Sequence, residues 1–284
     1  MDERRFTLKS RMQGARLSQF MSPMTILMVE DNALQRRHLE AQLEPLGHRL
    51  IAASNGQEAL ALMRHSVPDL VIMDAVMPSM DGFQACELIK ANPTTASVPV
   101  IVLTALSRDA KDRSYAAGAD DFLRKPANTL LLHVRVQTHL KIHALELKVG
   151  TPAPARPKVL VVSASSLVRS QVQNHYGKSQ ATFLEAQGED QARVQIMAHR
   201  PDVLVLDTEL LQGSAQNLAV AIHQSEELRD LPILLLYNPG ELETWSRLQQ
   251  PVADALEKPL VAQETRRRVA LLSHLAQLQK LVQA

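Results

Sequence analysis

The chain has 284 residues, with 31 Lys and Arg against 30 Asp and Glu, and is 45% hydrophobic. That length predicts about two globular domains, and a formal net charge of +1 gives no general attraction to nucleic acid or anionic membranes. A single cysteine, Cys86, excludes an internal disulfide framework and suits a reducing compartment, so a cytoplasmic protein is expected, and no apolar run approaches the ~18 residues of a membrane span.

The first 23 residues, opening MDERRFTLKSRMQGARLSQF, are basic and weakly patterned. They have no apolar centre, so they do not read as a secretory signal and are expected to be a flexible extension. From residue 24 onward short apolar runs (26–29, 48–52, 70–73, 100–103 and 120–123) alternate with helical patterns (33–45, 56–65, 82–91, 108–117 and 127–147). The Pro-Asp before the third run and the Pro before the fourth act as punctuation. Continuous apolar strands alternating with helices predict a parallel sheet covered on both faces, in a doubly wound α/β domain. Such a sheet places its site at the carboxyl ends of its strands.

The pattern then repeats. PKVLVV at 157–162 follows the frame of TILMV at 25–29, and the offset of 133 holds over roughly 100 residues without an insertion. PDLVIMD (68–74) meets PDVLVLD (201–207), VPVIVLT (98–104) meets LPILLLY (231–237), and DFLRKP (121–126) meets DALEKP (254–259). Between the copies lies VGTPAPARPK, whose three prolines predict a stiff, extended linker. The expected organisation is an extension (1–23), a first domain (24–148), a linker (149–157) and a second domain (158–284).

In the first copy the polar residues fall at strand ends: Glu30 and Asp31 after the first, Asp74 at the third, Thr104 at the fourth and Lys125 after the fifth. Three converging carboxylates repel unless a cation neutralises them, and hard oxygen ligands suit Mg²⁺. Lys125 adds a positive charge able to hold a phosphoryl oxygen, and Thr104 adds a short hydroxyl donor.

The combination of the ED pair at 30–31, MDAVMPSMDG at 73–82, TA at 104–105 and KP at 125–126 resembles the receiver domain of two-component response regulators, over nearly all of residues 24–145. The resemblance implies a flavodoxin-like receiver fold in which Asp74 accepts a phosphoryl group from a histidine kinase or phosphotransfer protein. It implies direct Mg²⁺ binding by Asp31, Asp74 and the backbone carbonyl of Val76, with Glu30 acting through a metal-bound water. It further implies that Thr104 and the aromatic Phe122 respond to phosphorylation, with Lys125 holding the phosphoryl group.

The second copy keeps Asp207 and Lys258 at the positions of Asp74 and Lys125. It has Ser163 and Ala164 in place of the acidic pair, Tyr237 in place of Thr104, Ala255 in place of Phe122, and LLQGSA in place of MPSMDG. One carboxylate without acidic partners is a poor Mg²⁺ site, so this copy reads as a degenerate pseudo-receiver whose Asp207 and Lys258 form an ion pair.

Other features are expected to be structural. His139 and His143 lack a third metal ligand and read as solvent-facing or packing residues, and Arg266–Arg268 read as a solvated helix face. Asp120, Asp121 and Arg135 are placed on the side of the fold that receivers often use for dimers, and Cys86 on a helix face. No glycine-rich phosphate loop is present.

The expected function is that of a phosphoacceptor rather than an enzyme: a response regulator whose phosphorylation switches a surface for dimerisation or for a downstream protein partner, without direct nucleic-acid or membrane binding. The alternative is the regulatory portion of a diguanylate cyclase with its catalytic domain beyond residue 284. No Gly-Gly-Asp/Glu-Glu-Phe motif occurs within the sequence.

Overall fold

A computed structural model describes residues 22–105, 108–153, 155–211, 214–242, 245 and 252–283. The extension expected over 1–23 lies outside the described residues except for its last two. The chain divides into two compact units between His143 and Ala144.

The first unit contains β1 (Thr25–Val29), α1 (Ala33–Leu43), β2 (Arg49–Ala53), α2 (Gly56–His65), β3 (Leu70–Asp74), α3 (Gly82–Ala91), β4 (Val100–Thr104), α4 (Arg108–Ala116), β5 (Asp121–Arg124) and most of α5 (Thr129–Val149). All strand pairings are parallel, in the order β2-β1-β3-β4-β5. The second unit repeats this with β6 (Lys158–Val162), α6 (Ser166–Tyr176), β7 (Thr182–Ala186), α7 (Glu189–His199), β8 (Val203–Asp207), α8 (Ala215–Gln224), β9 (Ile233–Tyr237), β10 (Asp254–Glu257) and α9 (Ala262–Gln283). Its sheet order is β7-β6-β8-β9-β10, the same topology shifted by the sequence offset.

The burial follows the sequence chemistry. β3, β4, β8 and β9 are buried at every residue, as continuous apolar runs inside a doubly covered sheet require. The edge strands β2 and β7 share one pattern, half-exposed until a buried alanine at the end. Helices begin where short polar side chains can cap them: Asn32 accepts from the Leu34 and Gln35 amides, Asn55 from Glu58, Ser165 from Val168 and Ser214 from Asn217. At α3 the cap is reciprocal, with Asp81 accepting from the Gln84 amide and the Gln84 side chain accepting from the Asp81 amide.

The Pro-Asp signals do more than punctuate. Asp69 accepts the Thr25 amide at 2.7 Å, and Asp202 accepts the Lys158 amide at 2.6 Å. Each aspartate thus satisfies the first backbone donor of its central strand and fixes the register of β1 with β3, or of β6 with β8.

Two expectations about charged residues are corrected. Asp121 is fully buried and pairs with Arg135 at 3.3 Å, so neither presents an open docking face; Asp120 pairs with Lys90 at 2.7 Å. Arg268 is buried against Asp254 at 3.1 Å and is no part of a solvated face, unlike its exposed neighbours Arg266 and Arg267. Of the two readings offered for His139 and His143, packing holds: both are buried, and His139 contacts Asp121 at 3.2 Å. The common cause is pairing, because a charged side chain enters a core when its partner enters with it. Cys86 is buried as well, and burial pushes its thiol up to about 12, so it is inert packing.

Candidate functional site

The β1, β3 and β5 ends converge as a doubly wound sheet requires. Glu30 follows β1 and is buried; its carboxylate accepts the Asn32 amide at 3.2 Å, and the Arg36 guanidinium donates to the Glu30 carbonyl at 2.8 Å. Asp31 is exposed at the mouth of the site. Asp74 ends β3, largely buried, and accepts the Val76 amide at 3.3 Å. Carboxylate oxygens of Glu30, Asp31 and Asp74 lie within 4.8 Å of one another, the one such acidic triad among the described residues.

Lys125 enters this cluster from the end of β5. Its ammonium lies 2.6 Å from Glu30, 2.7 Å from Asp74 and 2.8 Å from the Gln35 carbonyl oxygen. Those three contacts use all three N–H donors of the ammonium. Three carboxylates facing one ammonium leave two negative charges, which is the charge of a single divalent cation, and the all-oxygen donor set fits Mg²⁺. Thr104 ends β4, buried, one strand from Asp74. Phe122 is half-buried on β5, edge-on to Tyr115 with ring centroids 5.6 Å apart. The Val76 side chain is exposed beyond Asp74.

The acceptor loop has a steric signature. A Cβ added to Gly82 would lie 2.1 Å from the Asp74 carbonyl oxygen. The Gly82 amide donates to the Ala75 carbonyl at 3.0 Å, closing the turn that carries Asp74 into α3. A side chain at 82 would push the acceptor backbone out of place.

The second unit builds something different from the retained residues. Asp207 is fully buried and accepts the Ser163 hydroxyl at 2.6 Å, the Lys258 ammonium at 2.8 Å and the Glu209 amide at 3.2 Å. Lys258 also reaches Glu209 at 3.0 Å. Burial lowers the Lys258 pKa, but hydrogen bonds and charge from Asp207 and Glu209 outweigh it and hold the ammonium above its ordinary value. Tyr237 is buried at the end of β9. Ala215 stands where the first unit has Gly82, so this copy carries the Cβ that the acceptor turn excludes. Its two carboxylates, Asp207 and the exposed Glu209, face one ammonium and leave a single negative charge, against two in the first unit.

Two residues of the first site were not singled out by motif: Gln35, which completes the Lys125 shell, and Arg36, which ties α1 to the end of β1. The repeat held a signal for each. Arg36 recurs as Arg169, which donates to the Ser163 carbonyl at 2.7 Å, whereas Gln35 becomes Val168 in the copy without the acids.

A five-stranded parallel sheet in this order with an acidic triad and a lysine at its carboxyl end defines a receiver-type signalling module. The family model described as response regulator receiver domain matches residues 26–137. Response regulator PleD of Caulobacter vibrioides is 30% identical over 264 residues, covering 86% of this chain and 58% of that protein. The probable transcriptional regulator ycf27 of Porphyra purpurea is 40% identical over 118 residues, covering 41% of this chain and 47% of that protein. Among solved structures, a putative response regulator from Chloroflexus aurantiacus is 34% identical, with 42% of this chain and 98% of that one covered and a TM-score of 0.41. The signal receiver domain of a signal transduction histidine kinase from Syntrophus aciditrophicus is 40% identical, with 41% and 89% covered and a TM-score of 0.40. By the family match the chain contains a response-regulator receiver domain at residues 26–137. It carries two receiver-type folds in tandem, and it spans about half to three-fifths of the length of the curated relatives named here. No described helix is long and apolar enough to cross a membrane.

Proposed function

We propose that this chain is a phosphorelay response regulator in which Asp74 accepts a phosphoryl group from a histidine kinase or phosphotransfer protein. The observation that carries the reading is the charge deficit of the first site: Glu30, Asp31 and Asp74 within 4.8 Å of one another around one ammonium. Mg²⁺, held by Asp31, Asp74, the Val76 carbonyl and, through water, Glu30, would supply charge neutralisation for an in-line transfer. Asp74 presents a carboxylate oxygen as the nucleophile, with the Lys125 ammonium 2.7 Å away. Lys125 moves from that oxygen to the incoming phosphoryl group while Glu30 and Gln35 hold the rest of its shell. Thr104 supplies a hydroxyl to a second phosphoryl oxygen, and Phe122 follows, altering the α4–β5–α5 face for a second copy of the chain or a downstream protein.

The domain limits we assign are 24–148 and 158–284, joined by residues 149–157, in a cytoplasmic protein. The second unit is a pseudo-receiver retained for its surfaces, because Ser163, Asp207 and Lys258 already satisfy one another. A second reading, the regulatory portion of a longer regulator such as a diguanylate cyclase, is favoured by the 264-residue match that covers 58% of PleD. Mg²⁺ titration with beryllofluoride, followed by calorimetry, tests the site assignment. One binding event per chain is expected, lost in Asp31→Asn and kept in Asp207→Asn; two events, or retention in Asp31→Asn, would refute it.

A further inference from the structure

Beneath Phe122 lies a buried ionic cluster that the acceptor chemistry does not use. Asp121, Arg135 and His139 are 0%, 7% and 4% exposed. The Asp121 Oδ1 accepts the Phe122 amide at 2.6 Å and faces Arg135 Nη1 at 3.3 Å, while its Oδ2 meets His139 Nε2 at 3.2 Å. Arg135 Nη1 also donates to the Phe122 carbonyl at 2.6 Å. Both polar groups of the Phe122 backbone are therefore bonded to charged side chains, and the guanidinium and imidazole both come from α5. The His139 contact requires its Nε2 to carry the proton, since a carboxylate oxygen only accepts.

Burying this cluster costs free energy that apolar side chains would not, so a role beyond stability is to be sought. The repeat locates it. The second unit keeps the pair, Asp254 with Arg268 at 3.1 Å and the Ala255 amide on Asp254 Oδ1 at 2.8 Å. It replaces Phe122 with Ala255 and His139 with Leu272, which is fully buried. Thus the imidazole is missing from the copy that also lacks the aromatic ring and the acidic pair. The Asp–Arg pair alone belongs to the fold, and the histidine accompanies the working site.

We propose that Asp121, Arg135 and His139 form a positioning relay that fixes the backbone of Phe122 to α5, so that a change at Asp74 reaches α5 through this buried cluster. The inference rests on the reading of Asp74 as phosphoryl acceptor. The geometric route is short: Asp74 pairs with Leu103 on β4, and Val102 of β4 pairs with Phe122. His139 is the point to test, because Leu272 shows that the same fold accepts leucine there.

The experiment compares the full chain with His139→Leu and His139→Gln, whose amide restores a donor near Nε2. Phosphoryl incorporation at Asp74 from acetyl phosphate with Mg²⁺ is measured first, and should stay within about two-fold of wild type in both variants. Hydrogen exchange is then followed with and without beryllofluoride over residues 121–124 and 129–143. In wild type both segments should respond together; in His139→Leu the β5 response should persist while the α5 response falls to less than half; His139→Gln should restore it. A wild-type α5 response in His139→Leu, or no restoration by His139→Gln, overturns the relay. Phosphorylation of wild type without any α5 response overturns the relay and leaves the acceptor reading intact. Absence of phosphoryl on Asp74 in wild type removes the acceptor reading itself, and the relay with it.

Discussion

The same substitution at equivalent positions should have opposite consequences in the two units. In Asp207→Asn the Lys258 ammonium, only 12% exposed, loses its fully buried counterion. Removing one partner of a buried pair costs about 3–5 kcal/mol. Here Glu209 remains 3.0 Å from the ammonium and the asparagine oxygen can still face it, so a loss near the lower end, about 3 kcal/mol, is expected. In Asp74→Asn the balance differs. Two carboxylates within 4.8 Å of each other repel by at least about 3 kcal/mol at an effective dielectric constant of about 20, and the exposure of Asp31 reduces this to about 1–2 kcal/mol. That relief offsets the lost Lys125–Asp74 contact, because Lys125 keeps Glu30 at 2.6 Å and Gln35 at 2.8 Å. Without Mg²⁺, Asp74→Asn should therefore be neutral or stabilising by about 1 kcal/mol. Trp245, the single tryptophan and buried in the second unit, makes the assay selective. Urea unfolding followed by its fluorescence should shift in Asp207→Asn and not in Asp74→Asn, with circular dichroism reporting both units. An unmoved Trp245 midpoint in Asp207→Asn, or an equal destabilisation of the first unit by Asp74→Asn, would refute the charge-balance reasoning.

Gly82→Ala should displace the acceptor turn, lowering phosphoryl incorporation at Asp74 by at least ten-fold, whereas Ala215→Gly should leave that incorporation unchanged; both are read by intact-mass measurement. Asp69→Ala should cost the first unit about 1–2 kcal/mol by leaving the Thr25 amide without its partner, measured by urea denaturation. The Lys258 pKa lies above its ordinary 10.5, although burial opposes the rise, so its stabilising contribution is complete below about that pH and is lost as pH climbs through the raised value. The Trp245 transition should consequently show no pH dependence from this pair between about pH 7 and 9, and an alkaline loss that Lys258→Met removes.

Much of this was legible in the sequence because the signals were periodic or repeated. The apolar runs locate nine of the ten strands to within a residue or two, since a strand buried on both faces needs little but apolar side chains. The tenth, β7, becomes evident only through the offset, because an edge strand such as TFLEA is half-exposed and carries no continuous apolar run. Glu30, Asp31, Asp74, Thr104 and Lys125 could be placed together because strand ends on one side of a parallel sheet are neighbours. Asp121, Arg135 and Arg268 were misread because residue type suggests exposure, and only the fold shows that each brings its counterion into the core. Gln35 was missed because its contact with Lys125 joins residues 90 apart in sequence and follows no local pattern.

The central claim, one working acceptor and one silent copy, is tested most directly by phosphopeptide mapping of the full chain after treatment with acetyl phosphate and Mg²⁺. One acid-stable, base-labile phosphoryl group should appear, on the peptide containing Asp74; it should vanish in Asp74→Asn and persist in Asp207→Asn. A phosphoryl group on the peptide containing Asp207, or full labelling of Asp74→Asn, would contradict the account.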